Sequence, residues 1–389
     1  MAVQGVFTSD ANIEGTRTGD FAGGILMIQP EGSAPLFALS SGMSSVDAKD
    51  TAVHWFEENK LSGQFKATAN AAIDATSIVF EDVSFLLPNT MILSEDGEVA
   101  YVTAVNQGTK TASVIRGWGG STGAAITAND LWYKLGTAHK EASAKPVAVA
   151  NVGVSLYNYT QIFRNAWEVS GTSQAVNNYT GNTKAKNKLD ASFFHAEEIE
   201  KSMIWGRRNI AIEDGHPVHT MNGLNNMIST NVEAAGNTTS WDQLDDFFKD
   251  IFSYNIKNKP NERIAFTGNN GIQIINQIIR GDDSTRFNVQ TRDTEFGMKI
   301  NKFVTPYGDV MIKTHPLMTE SPLWTSDLYV YHPGAIEMKY LRRTFIDNYD
   351  KDGTRAGADS DYGVYTTECT VCYKAERTGG RLTGLKAGA

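Results

Sequence analysis

Only two cysteines occur in 389 residues. That excludes a disulfide framework and fits a chain made and kept in a reducing cytoplasm. In that compartment the three Asn-x-Thr sequons, at Asn158, Asn178 and Asn237, carry no glycan. Long hydrophobic runs are missing too. No stretch approaches the roughly 18 apolar residues that a membrane-spanning helix needs, and the first residues, MAVQGVFTSDANIEG, lack the basic and apolar regions of a secretory signal. Positive charge is in short supply: 35 Lys and Arg stand against 44 Asp and Glu, a net charge of -9. A tight grip on nucleic acid calls for a basic surface, so strong phosphate binding is not expected. Internal repeats and low-complexity tracts are absent. What remains is an ordinary globular composition, 41% hydrophobic and 20% charged, long enough for two or three units with their own cores.

The most informative segment runs from Val169 to Arg208. A polar, extended lead-in passes into an amphipathic helix over 189–208. Leu189, Phe193, Ala196, Ile199 and Met203 recur at steps of three and four and form the stripe to be buried. Asp190, Glu197, Glu198, Glu200 and Lys201 fall on the opposite, solvent face. Nothing on this helix is arranged for chemistry.

Elsewhere the text is mixed. Residues 1–50 are punctuated by Gly, Ser, Thr and Pro around short apolar groups, which suits an arm rather than a domain. Val53 and Trp55 begin a strand. From about 68 to 139 short strands alternate. Asp96-Gly97 is read as a type I′ hairpin turn between Met91–Leu93 and Val99–Val105, and the whole is read as a small β-barrel-like module. Residues 140–175 are extended, and Gly215-His216-Pro217 breaks the chain. Ser240 caps a second helix with Gln243 three residues on, and Leu244, Phe247, Phe248 and Ile251 form its apolar stripe. Arg263–Phe266 is a strand and Gly271–Arg280 a third helix stopped by Gly281. Strands follow near 300–305, 309–314 and 327–331. Two long β segments, Ala335–Asp347 and Val364–Ala375, close the series.

Each motif with a chemical reading also has a plain one, and the plain one is favoured throughout. Cys369-x-x-Cys372 lies in a period-two run, so the thiols point to opposite faces about 10 Å apart, too far for a disulfide. No second pair supplies the other zinc ligands. The loop from Asn348 through Asp350, Asp352 and Gly353 to Asp359 resembles a calcium loop, but Asn at the first place, Asp at the twelfth and strand flanks favour a solvated hairpin tip. His216 and His219 lack a third ligand. His195-Ala196-Glu197-Glu198-Ile199 lacks the second histidine of a zinc-protease motif. Gly268-Asn269-Asn270-Gly271 enters a helix, where phosphates bind, yet has neither the Lys-Ser/Thr of a P-loop nor the third Gly of a dinucleotide fingerprint. No Gly-x-Ser-x-Gly occurs. The expectation is no catalytic residue, no cofactor and no metal.

The order of parts resembles a tailed-phage major capsid protein with the Hong Kong 97-like fold, and more narrowly the podovirus major head protein families. Pro35-Leu36-Phe37 in the arm and Val169-Ser170-Gly171-Thr172 before the long helix carry the resemblance, together with the mixed region beginning near Met221-Asn222-Gly223-Leu224 and the two late strands. It implies an α+β subunit in eight parts. Residues 1–50 would be the N-terminal arm, 51–67 and 140–175 the two sides of the E-loop, and 68–139 a β module inserted in that loop. The P-domain would take 176–220, with the spine helix, and 331–378, with the long strands. The A-domain would take 221–330, and 379–389 would return to it. The implied function is self-assembly into the pentamers and hexamers of an icosahedral head, put together in the host cytoplasm around a DNA genome held without specific binding. A portal protein and decoration proteins are further implied partners. Because the arm begins almost at Met1, a separate scaffold, or none, is expected. Two alternatives stand beside this reading: another phage structural protein, of tail or decoration type, and an α/β hydrolase or nucleotide-binding enzyme.

Overall fold

The computed structural model describes residues 45–58, 63–148, 150, 152–176, 181–256, 259–281, 290–295, 298–349 and 359–386. The chain divides into two compact units, one from Phe56 to Ser155 and one from the segments before and after it. Most of the expected arm, residues 1–44, lies outside the described residues.

The first strands are β1 (Ser45–Asp47) and β2 (Ala52–Glu57), the latter burying Val53 and Trp55 on alternate positions. The Phe56–Ser155 unit follows. It contains β3 (Gln64–Lys66), β4 (Ser77–Val79), β5 (Thr90–Ser94), β6 (Val99–Asn106), β7 (Thr111–Ile115) and β8 (Leu131–Thr137). They hydrogen-bond in the order β3-β8-β5-β6-β7-β4. The two outer strands then meet through an antiparallel bridge between Ala67 and Phe80, so the sheet closes on itself as a barrel. Alternation explains the filling: Phe65, Ile78, Ile92, Val102, Val114 and Trp132 point inward and form one apolar cluster with Phe80 and Leu86.

The turn between β5 and β6 differs from the expectation. Ser94 N donates to Glu98 O at 2.8 Å, leaving a three-residue loop, and only Gly97 has positive φ (88°). A type I′ turn needs positive φ at both central residues, so this is a tighter first bend with a left-handed third residue. The pairing register of the strands, not the Asp-Gly pair, sets the loop length.

Glu98 is almost fully buried at the barrel's end. Its carboxylate accepts from Arg116 Nε at 2.5 Å and Nη2, from Gly117 N at 3.1 Å and from Ala124 N at 3.0 Å. Arg116 also lies over the Trp132 ring, 5.9 Å from its centroid. One carboxylate thereby holds the 116–124 connection against the barrel. Burial pushes the Glu98 carboxyl up, but these hydrogen bonds outweigh it and hold it below the usual carboxylate range.

The second unit resumes with β9 (Val154–Tyr159), which pairs with β2, and β10 (Gln161–Ser170). The stretch expected to be extended to 175 instead ends in a short helix, α1 (Gly171–Ala175), capped by the Ser170 side chain. Helix α2 spans Thr183–Trp205, starting six residues before the expected Leu189 and capped by Asn182, whose Oδ1 accepts from Ala185 N at 3.1 Å. Its buried face is rotated from the predicted one. Ala191, His195, Ile199, Glu200, Met203 and Ile204 are buried, whereas Leu189 is 69% exposed. The ribbon of β11 (Asn209–Glu213) and β12 (His216–Thr220) follows. The chain does not break at Pro217. It turns at Asp214-Gly215, both with positive φ (49° and 78°), which is the type I′ hairpin that the sequence reading placed elsewhere.

The rest builds two sheets. After α3 (Leu224–Met227) come β13 (Val232–Ala234), α4 (Trp241–Phe252), β14 (Glu262–Thr267), α5 (Asn269–Gly281), β15 (Gln290–Glu295), β16 (Met298–Val304), β17 (Asp309–Thr314), α6 (Pro316–Glu320), β18 (Leu328–Tyr331), β19 (Ile336–Tyr349), β20 (Ser360–Tyr373) and β21 (Gly380–Thr383). A seven-stranded mixed sheet runs β13-β21-β18-β14-β17-β16-β15, and a four-stranded sheet runs β1-β19-β20-β10. Ser240 Oγ accepts from Gln243 N at 3.2 Å, the N-cap half of the expected capping box. Leu244, Phe247, Phe248 and Ile251 of α4 all pack on Ala265, Val310, Val330 and Leu382 of the large sheet. Strand β20 is the centre of the smaller sheet. It pairs antiparallel with β10 and with β19, the latter across two register shifts near Arg342. One apolar cluster joins both sheets: Ile199 and Met203 of α2, Phe266 and Tyr331 of the large sheet, and Met338, Cys369 and Val371 of the small one.

The barrel clasp yields a test. Glu98→Gln leaves Arg116 without its carboxylate and is expected to lower stability by about 3–5 kcal/mol. The sign of its pH dependence follows from the depressed carboxyl. The contribution is complete above the ordinary carboxylate value of 4.5 and is lost as pH falls through the lower folded value. Thermal unfolding followed from pH 6 to 2 should show this acid limb in the unaltered chain and a flatter one in the variant.

Candidate functional site

The densest set of buried polar groups lies where α2 meets the two sheets. Glu200 was expected on the solvent face. It is instead fully buried, and its Oε1 accepts from His315 Nε2 at 2.6 Å, with both side chains 0% exposed. His315 ends the connection from β17 and caps α6: its Nδ1 accepts from Leu317 N at 3.2 Å. An acceptor nitrogen carries no proton, so the ring is held as the tautomer that donates to Glu200. Phe266 and Trp205 set their rings edge-on around the imidazole, at 5.6 and 6.5 Å.

Two more histidines are buried and neutral. His195, on α2, donates from Nδ1 to Asn165 Oδ1 at 2.6 Å and accepts at Nε2 from the Thr367 hydroxyl at 2.7 Å. It thus stitches the helix across β10 to β20. Burial lowers its pKa, with Glu198 pulling weakly the other way. His332 follows β18, and its Nδ1 accepts from Gly334 N at 3.0 Å. Burial, then repulsion from Arg263 and Lys259, bring it down to about 4. Arg263 on β14 is itself fully buried. It donates to the carbonyls of Tyr254 at 2.9 Å and Glu262 at 3.1 Å and stacks over Phe252 at 4.8 Å. Tyr254 lies just past α4, so the cation answers the negative end of that helix. Burial alone lowers the guanidinium to about 10. The Glu200–His315 and His195–Thr367 partnerships were not visible in sequence, because they join residues 115 and 172 positions apart. The single hint was polar residues at spacings that the helix and strand periods assign to the core.

The candidate motifs are placed as follows. Cys369 and Cys372 are buried free thiols on opposite faces of β20, one in the shared core and the other against Val53 and Trp55. Burial pushes both thiols up to about 12, so neither is poised as a nucleophile. Gly268 and Gly271 serve close approach. A Cβ on Gly268 would fall 2.6 Å from Thr325 Cα, and one on Gly271 would strike the Thr267 hydroxyl. The Gly271 N–H already donates to Thr325 O at 2.9 Å, so a protein carbonyl fills the place a phosphate would take. His216 is exposed on β12, while His219 stacks on Tyr159 with centroids 5.5 Å apart. Asn348 pairs with Gly363 at the end of β19, and the Asp359 carbonyl accepts from Gly171 N at 2.9 Å. Residues 350–358 of the calcium-like loop lie outside the described residues. Among the described residues no group of three or more His, Cys, Asp or Glu is placed to hold a metal ion, and no helix is long and apolar enough to cross a membrane. Asn158 is buried and donates to the carbonyls of Asn222 at 3.0 Å and Val371 at 2.8 Å.

What the surface does show is apolar side chains left open. Ile212, Leu323, Val152 and Phe56 are each more than three-quarters exposed.

Comparison with known proteins identifies the family. The family model described as SU10 major capsid protein matches residues 4–386. The chain belongs to this family. A major capsid protein of Pseudomonas phage PaMx41 is 30% identical over 373 residues, which is 92% of this chain and 88% of that protein. Among solved structures, the mature capsid of bacteriophage PhiM1 is 11% identical, covering 97% of this chain and 94% of that one at a TM-score of 0.48. A native GTA particle capsid is 8% identical, covering 97% and 98%, also at 0.48. The two sequence matches, not these structural likenesses, carry the family. The architecture observed is α+β, with helices packed on mixed and antiparallel sheets.

The buried pair and the histidines can be tested in this capsid protein. Glu200→Leu alone strands His315 and is expected to cost about 3–5 kcal/mol in urea unfolding, while Glu200→Leu with His315→Leu recovers most of it. For His195 and His332 the folded pKa lies below the ordinary 6.5, so their contribution is complete above pH 6.5 and is lost as pH falls below it, for His332 down to about 4. Melting temperature plotted against pH should decline over that window, and His332→Gln should flatten it.

Proposed function

We propose that this major capsid protein assembles with copies of itself into pentamers and hexamers, and these into the icosahedral shell of a phage head enclosing DNA. The observation that carries the reading is the family match over residues 4–386. The open apolar side chains support it, because a shell subunit must leave surface to be buried only against its neighbours. The reading is structural rather than enzymatic: the thiols, the histidines of the junction and the glycine-bounded helix entry serve packing. With a net charge of -9 the subunit encloses the genome without gripping it.

In this reading the parts take the following roles. Residues 1–50 form the arm that reaches neighbouring subunits, its end held as β1 beside β19. Strands β2 and β9 carry the E-loop, whose outer part is the barrel. Helix α2 with β19 and β20 is the P-domain, α2 being the spine, and β10, which fell within the 140–175 side of the E-loop in the expected map, is moved to it here because it pairs along its length with β20. The seven-stranded sheet with α4 and α5 is the A-domain, facing the capsomer centre, and β21 brings the chain's end back into it between β13 and β18. Assembly takes place in the host cytoplasm, and the shell meets a portal and any scaffolding or decoration proteins through these same surfaces.

Negative-stain microscopy of the purified chain tests the proposal. Capsomers, tubes or shells are the expected result, and a monodisperse monomer under all assembly conditions would contradict it. Deletion of residues 1–45 should leave a folded subunit, by circular dichroism, that no longer assembles.

A further inference from the structure

The β11–β12 ribbon is unlike any other element described. It stands as a two-stranded sheet of its own, and every residue from Asn209 to Val218 is exposed. Two strands alone are marginal in water. The base is anchored, through His219 stacked on Tyr159 and Arg208 lying 4.0 Å from the centre of the Tyr157 ring. The outer part is not. Ile212 is 78% exposed, and Ile210 and Val218 are exposed as well.

The register says which edge is open. Glu213 and His216 close the two-residue turn as a hydrogen-bonded pair, so Ala211–Val218 and Asn209–Thr220 are hydrogen-bonded pairs too. The residues between them send their backbone N–H and C=O groups outward. On β12 these are Pro217 and His219. Pro217 has no N–H to offer, which blunts that edge. On β11 they are Ile210 and Ile212, whose backbone groups no strand or hydrogen bond answers among the described residues.

That edge is complementary to itself. Turned antiparallel about Ala211, Ile210 faces Ile212 of the partner subunit, with both outward-pointing, so each answers the other's N–H and C=O. Ala211 faces its own copy as a close, non-hydrogen-bonded pair. Asn209 meets Glu213 of the partner subunit, so no like charges are opposed along the strand. We propose that β11 joins β11 of a second copy of this chain across a two-fold axis, making a four-stranded sheet in the order β12-β11-β11-β12. The inference rests on the shell-subunit reading for its partner and goes beyond it by naming the strand, the register and the symmetry of one contact.

Ala211→Cys tests it on the full chain. In the proposed register the two Ala211 Cα atoms stand about 4.5 Å apart, inside the range a disulfide spans. The native Cys369 and Cys372 are buried and give little background. Mild oxidation of assembled material with diamide should yield a covalent dimer on a non-reducing gel. Val218→Cys, on β12 of the same ribbon, should not, because its copies lie about three strand spacings apart, roughly 14 Å. Hydrogen exchange on the unaltered chain is the second measurement: the Ile210 and Ile212 amides should be protected in assembled material and exchange freely in dissociated subunits. Shells without an Ala211→Cys dimer, equal dimer from Val218→Cys, or free exchange at both amides within shells would each overturn the pairing and leave the capsid reading standing. If the unaltered chain forms no assembly, the capsid reading falls and the crosslink is read on the soluble chain, where a dimer specific to Ala211→Cys supports the pairing and its absence overturns that too.

Discussion

The unit that holds both sheets depends on one shared core. Strand β20 is hydrogen-bonded on both edges and covered on both faces, by α2 on one and by Val53 and Trp55 on the other. Apart from Thr370, whose Oγ1 has no hydrogen-bond partner, polar residues on a strand so enclosed are expected to find one. Glu368 does so with Arg342 and Thr160, and Thr367 with His195 and Thr344. The Glu200–His315 pair extends the same logic to the large sheet. Such a pair adds little net stability, because desolvation offsets the attraction. What it does impose is a single seating of α2, since any other rotation of the helix would leave a carboxylate and an imidazole buried without each other.

This seating explains which features were legible in the sequence. Where a residue's role is local, the reading succeeded: Ser240 caps α4, and the period-two runs around Cys369 become β20. Where the role depends on a distant partner, it failed. Helical periodicity put Leu189 inside and Glu200 outside because it scores each residue's own polarity, and His315 is 115 positions further along. The first turns of α2, rich in Lys and Asn, carry no apolar signal, so its start was missed.

Of the three Asp-Gly pairs in the chain, the two among the described residues make the same point for turns. One sits in a three-residue loop and the other in a type I′ turn. The dipeptide permits the left-handed backbone in both places, and the register of the flanking strands decides whether it is used. The candidate sites behave alike. Gly268 and Gly271 look like a phosphate cradle in sequence, yet the space their missing side chains leave is taken by Thr325 and Thr267.

Closure of the barrel has a consequence for how the chain finds its fold. Its strand pairing is local, between β3 and β8 (64–137), and Gly153 returns close to the backbone of Glu57. Once the barrel has formed, the roughly hundred residues between β2 and β9 behave as a short tether rather than a long floppy loop, and the entropy of closing that loop has already been met by local pairing. The slow step is left to β10 and β20, which must meet across nearly two hundred residues. A barrel that forms first brings β2 to β9; it leaves the path from β10 to β20 unchanged, because that path lies wholly beyond the barrel in the chain.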